Sequence, residues 1–223
     1  MTNSPLSLTH LVRPATQGQG TPPLLLMFHG IGSNEEDLMG LESYLDERFT
    51  IVSARAPHPY GYGGYAWFEI DWQPTGIRID RRQAAASRDL IVMFVGEAVA
   101  AYGADPAQVY LLGFSQGAMM SGWVTLTEPE LVAGAVLMSG RIPDEVRPQI
   151  VAPERLEGKP ILVTHGLMDQ VLPIANGRGS RDLLQQLPVD LTYREYPMAH
   201  EVNMQSLTDV VQWLSARLDK DRR

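Results

Sequence analysis

The order of elements along the chain predicts an α/β fold with a mainly parallel central sheet and helices on both faces. Three observations predict it. Short apolar, β-rich runs alternate with longer stretches of helical period. Several runs are apolar at nearly every position, as strands covered on both sides are. The chain has 223 residues, 44% apolar and 20% charged, a size and composition suited to one globular domain spanning residues 1–223.

Residues 6–12 read as a first strand, stopped near Pro14, and Gly18, Gly20, Pro22 and Pro23 make the turn after it. Residues 23–30 are a continuous apolar run, hence a buried strand. Residues 35–47 read as a helix, with Asn34 as N-cap and Glu35, Glu36 and Asp37 in its positive first turn. Residues 49–54 are the next strand. Residues 56–80 are rich in proline, glycine and rings (Tyr60, Tyr62, Tyr65, Trp67, Phe68, Trp72) and read as a long irregular segment that packs over something. Whether it is a lid or a partner surface is left open.

Residues 81–102 carry Leu90, Phe94, Val95 and Val99 at helical spacing. Residues 108–114 form a buried strand that runs straight into Ser115, and 116–127 are a helix ended by Pro129. Strands follow at 132–139 and 161–165, separated by an irregular, proline-rich excursion over 140–158. A helix at 174–187, an alternating strand at 190–196 and an amphipathic helix at 201–218 complete the chain.

Composition excludes several functions. The net charge is −8, so the chain gains nothing from counterion release on a polyanion, and no nucleic-acid partner is expected. The mixed-sign run at residues 219–223 reads as a frayed helix end. Without cysteine there is no disulfide, thiolate metal site or thiol nucleophile, which fits a reducing cytoplasm. Residues 1–10 lack the basic and apolar regions of a signal peptide. The longest candidate span, residues 90–101, is broken by Gly96 and Glu97 and too short for a bilayer. No stable membrane insertion is expected, and a homodimer is left open.

The chemistry starts at Gly113-Phe114-Ser115-Gln116-Gly117, which fits Gly-x-Ser-x-Gly. A serine lifted above a sheet must sit in a tight, strained strand-to-helix turn whose flanks admit only very small side chains. The new helix then aims free N–H groups at the site where negative charge forms. A serine hydroxyl needs a base, and in this arrangement the chain order is serine, acid, histidine. Of His10, His29, His58, His165 and His200, only His200 follows Ser115 with a strand-end acid between them. Asp169, just beyond the strand 161–165, is that acid, with Asp144 as runner-up. His165 reads as a strand-end residue hydrogen-bonded in place. The oxyanion of acyl transfer needs fixed N–H donors. Gln116, after the nucleophile, supplies one, and Ile31, in His29-Gly30-Ile31-Gly32, supplies the other.

These residues resemble the phospholipase/carboxylesterase family of serine hydrolases, which includes acyl-protein thioesterases and small bacterial carboxylesterases. The resemblance rests on His29-Gly30-Ile31-Gly32 with Asp37-Leu38, Trp67-Phe68-Glu69-Ile70, and Gly113 through Ala118. It continues through His165-Gly166, Asp169, Val171-Leu172-Pro173 and His200-Glu201-Val202. Glu69 stands where aspartate is usual, Ile31 where leucine is common, and Ala199 where glycine is common. The resemblance implies an α/β-hydrolase fold with no large cap domain and no cofactor or metal. It carries the triad onto Ser115, Asp169 and His200, the oxyanion donors onto Ile31 and Gln116, and places Trp67 and Phe68 near the acyl site.

Met119, Leu167, Met168, Val171 and Met198 lie on loops or helix starts near the proposed triad and, with Trp67 and Phe68, are the expected substrate-binding wall. Arg78, Arg141 and Arg178 read as surface cations rather than leaving-group binders. The expected function is a serine carboxylesterase that hydrolyses short- to medium-chain esters through an acyl-enzyme. An acyl thioesterase or lysophospholipase would use the same chemistry. A non-catalytic binding protein on the same fold is the reading from another class.

Overall fold

The computed structural model describes residues 6–73 and 76–220. Seven strands form the central sheet: β1 (His10–Arg13), β2 (Leu24–Phe28), β3 (Thr50–Ala54), β8 (Val109–Phe114), β9 (Gly134–Met138), β10 (Pro160–Gly166) and β11 (Asp190–Tyr196). Their order is β1-β3-β2-β8-β9-β10-β11. Every neighbouring pair is parallel except β1 with β3.

The pleat sends alternate side chains to two cores. Leu24, Leu26 and Phe28 join the core beneath α2 (Arg81–Tyr102), α3 (Gln116–Thr127) and α4 (Ile174–Leu184). Leu25 and Met27 point the other way, toward α1 (Glu35–Met39) and α5 (Met204–Lys220), where Leu38, Val210, Leu214 and Leu218 close over them. Burial on both faces is why β2 and β3 are solvent-excluded at every residue. The connections run from the carboxyl ends of the parallel strands into helices, so the loops after β2, β8, β9, β10 and β11 crowd one edge. Among the described residues, no helix is long and apolar enough to cross a membrane, and no inserted cap domain covers that edge.

Several boundaries differ from expectation, each for a local reason. The first strand starts at His10, not residue 6. The Ser7 N–H donates to the Glu97 carboxylate and the Leu8 carbonyl accepts from His10 Nδ1, so side chains take backbone groups that a ladder would use. The helix expected over 35–47 stops at Met39, where the Gly40 N–H closes onto Glu36 and Asp37 carbonyls, and a 3-10 turn follows at Glu42–Tyr44. The last helix begins at Met204, because the Asn203 side chain accepts from the Ser206 N–H and the Ser206 hydroxyl accepts from the Asn203 N–H. Asp219, in the run expected to fray, is paired with Arg48 at 2.7 Å; residues 221–223 lie outside the described residues, as do residues 1–5 of the segment searched for a signal peptide.

The largest correction concerns residues 56–80. They are not irregular. They form two antiparallel hairpins, β4 (His58–Tyr60) with β5 (Gly64–Ala66) and β6 (Ile70–Gln73) with β7 (Gly76–Ile79). Pro74, in the expected loop, lies outside the described residues.

Candidate active site

β8 ends at Phe114 and α3 begins at Gln116, leaving Ser115 alone at the bend with φ 53° and ψ −112°. That positive φ is strained for a residue with a side chain. Glycine is required on both flanks by close approach. A Cβ on Gly117 would sit 1.9 Å from the Phe28 carbonyl oxygen, and one on Gly113 2.3 Å from the Gly117 carbonyl.

β9 and β10 continue the sheet beside β8, and β11 follows, so the loops after β10 and β11 reach the same edge as Ser115. They bring Asp169 and His200 to it. His200 Nε2 lies 2.9 Å from Ser115 Oγ, and His200 Nδ1 lies 2.7 Å from Asp169 Oδ2. An ionised carboxylate only accepts, so Nδ1 carries the proton and Nε2 is left to accept from the serine hydroxyl.

Asp169 is fixed in turn. Its Oδ1 accepts from the N–H groups of Val171 and Leu172 at 2.9 and 2.8 Å. His165 Nε2 donates to the Leu172 carbonyl at 2.7 Å and lies 3.5 Å from Asp169 Oδ2. His165 is thus a buried strand-end residue bracing the acid's loop. Ser115 and Asp169 are buried, and His200 keeps 16% side-chain exposure with its ring 5.1 Å from that of Phe114. Asp144, the alternative acid, is 81% exposed and paired with Arg147, away from this group.

Ile31 sits in the loop after β2, the strand next to β8. Gln116 opens α3, where first-turn N–H groups have no intrahelical acceptor. Both line a cavity of about 220 Å³ with Ser115 and His200. His29, just before that loop, is fully buried: Nδ1 donates to the Gly30 carbonyl at 2.7 Å and Nε2 accepts from the Ala56 N–H at 3.0 Å. Burial pushes its pKa below the ordinary histidine value, against the opposite pull of the Gly30 carbonyl and of Asp37 and Glu35.

The substrate wall expected from sequence divides. Met119 and Val171 line the cavity. Trp67 and Phe68 do not; both are fully buried in the core beneath it. Leu167 and Met168 are about half exposed, and Met198 is buried behind the His200 loop. In their place the cavity uses Ile70, Ile77, Phe114 and Leu172. Ile70 and Ile77 face inward from the β6–β7 hairpin, whose alternation (Ile70, Trp72; Ile77, Ile79) was the available sequence signal. None of Arg78, Arg141 or Arg178 lines the cavity, and Arg178 is held by Glu195. A larger hollow of about 500 Å³ lies at the opposite edge of the sheet, beside Pro22, Pro23 and Arg48, which precede β2 and β3.

Comparison with known proteins agrees in family and in fold. The model of the phospholipase/carboxylesterase family matches residues 14–218. Acyl-protein thioesterase 1 of Kluyveromyces lactis is 30% identical over 93% of this chain and 97% of its own. A probable carboxylesterase SOBER1-like protein of Arabidopsis thaliana is 27% identical over 87% of this chain and 78% of its own. The crystal structure of a carboxylesterase from Mesorhizobium loti superposes with a TM-score of 0.81 at 25% identity, covering 96% of this chain and 97% of that one.

Proposed function

The chain belongs to the phospholipase/carboxylesterase family, and from that premise we propose that it is a serine carboxylesterase acting on short- to medium-chain esters as one 223-residue domain. The observation that carries the reading is the unbroken relay from Ser115 Oγ through the His200 ring to Asp169. Ser115 Oγ attacks the ester carbonyl while His200 Nε2 takes its proton. The N–H groups of Ile31 and Gln116 receive the oxyanion. The intermediate collapses, His200 returns the proton to the departing alcohol, and a water molecule activated by the same nitrogen clears the acyl group.

Chain length follows from space. A cavity of about 220 Å³ falls below the ~300–1,000 Å³ that holds drug-sized ligands. Its walls Ile70, Ile77, Met119, Val171 and Leu172 are apolar, which favours an acyl chain over a polar group.

A thioester substrate is the second reading, favoured by the 30% identity to a protein named acyl-protein thioesterase. The triad and oxyanion donors would act on it unchanged. Purified protein assayed on p-nitrophenyl esters of increasing chain length and on matched acyl thioesters decides between them by kcat/KM. Ser115→Ala should lower kcat by about 10³-fold or more on every active substrate; retention of most activity would refute the proposal. Residence in the cytoplasm completes the reading and is checked by cell fractionation; light scattering decides between a monomer and a homodimer.

A further inference from the structure

We infer that residues 64–68 are a brace that fixes the spacing of the two oxyanion donors, with Trp67 as its central positioning residue. The inference rests on the roles proposed above for Ile31 and Gln116.

The donors come from different elements, one from the loop after β2 and one from the start of α3. β2 and β8 are paired as far as Phe28 and Gly113, but Ile31 and Gln116 lie beyond that ladder, and both N–H groups must meet one oxygen. Residues 64–68 touch both. On the loop side, the Gly32 N–H donates to the Tyr65 carbonyl and the Tyr65 N–H donates to the Ser33 carbonyl, each at 2.8 Å. The strand lies so close that a Cβ on Gly64 would stand 2.1 Å from the Gly32 oxygen. The Trp67 indole N–H donates to the His29 carbonyl at 3.0 Å, two residues before Ile31.

On the elbow side, the Trp67 backbone N–H donates to Gln116 Oε1 at 2.7 Å. Gln116 Nε2 donates to the Phe68 carbonyl at 2.6 Å. The side chain of a proposed donor residue is therefore used to tie its own backbone to the brace. Trp67 is fully buried, its ring meets Phe28 edge-on at 5.3 Å, and its carbonyl accepts from the Ser87 hydroxyl of α2. One residue thus joins the oxyanion loop, the elbow helix and α2. A tryptophan expected to touch substrate instead acts through the groups that do.

The test separates positioning from bulk packing. Trp67→Phe removes the indole donor and keeps both backbone bonds. Gln116→Met removes both amide contacts and keeps the Gln116 backbone N–H. Active-enzyme concentration is set by titration with a fluorophosphonate, and each variant is assayed for kcat, KM and affinity for an arylboronic acid. The tetrahedral boronate formed on Ser115 would place an oxygen in the oxyanion hole. The brace predicts that kcat/KM and boronate affinity fall in parallel, by about 10–100-fold, with KM within about threefold of wild type.

Wild-type boronate affinity in both variants, or KM rising while kcat holds, would overturn the inference and leave the triad reading intact. A wild-type protein that the fluorophosphonate does not label at Ser115 would instead remove the reading beneath it, before any variant is made. Should Trp67→Phe fail to fold, Gln116→Met carries the same comparison.

Discussion

At the residue scale, the site is organised by which nitrogen carries which proton. The Asp169 carboxylate fixes the His200 tautomer, and the same logic applies to His29, where Nε2 must stay bare to accept from Ala56. Burial holds the folded-state pKa of His29 below that of the unfolded chain. Above about pH 6.5 both states are neutral and its contribution to stability is complete. As pH falls below that value the unfolded chain binds a proton that the native state resists, so stability declines until the native pKa is passed. Thermal melts between pH 7.5 and 5.5 should therefore show Tm dropping toward acid, and His29→Gln should flatten that slope. An unchanged slope in the variant would assign the acid sensitivity to other groups.

Single residues were also the most legible part of the sequence. That Ser115, Asp169 and His200 meet was legible because each follows the end of a strand, and the ends of parallel strands lie on one sheet edge. Side-chain contacts across the fold carry no such mark. That Trp67 turns its indole toward the His29 carbonyl, or that Gln116 spends its amide on residues 67 and 68, depends on packing that no local pattern records.

At the element scale, the helices at Arg81–Tyr102 and Gln116–Thr127 and the strand at Asp190–Tyr196 end where periodicity and punctuation put them. The misreading of residues 56–80 has a physical source. Strands of three or four residues are too short for alternation to stand out, and the rings and glycines that build tight hairpins look like loop composition. The β6–β7 hairpin matters because it lends Ile70 and Ile77 to the cavity. Ile77→Ala opens that wall by three carbons, and a substrate methylene in an apolar pocket is worth ~1–3 kcal/mol. The acyl length with the best kcat/KM should lengthen by about two or three carbons on a p-nitrophenyl ester series. A profile identical to wild type would mean that the acyl chain leaves by another route.

At the scale of the whole molecule, one sheet edge gathers Ser115, Asp169 and His200 with Ile31 and Gln116, and the rest of the chain holds them there. The parallel strands deliver the five loops, the two cores on either face keep the strands in register, and residues 65–68, between β3 and α2, hydrogen-bond to the loop after β2 and to Gln116. The overall architecture was legible because it follows from strand and helix order. The shape of the cavity was not, because five of the seven expected wall residues turned out to lie in the core or on the surface.

The central claim is that Ser115 carries the acyl group between the two halves of the reaction. Rapid mixing with a p-nitrophenyl ester, acid quenching within milliseconds and peptide mass spectrometry tests it directly. The account predicts a transient acyl adduct on the peptide containing Ser115, formed and lost at rates that reproduce kcat. An adduct on another residue, or steady turnover with Ser115 never modified, would contradict it.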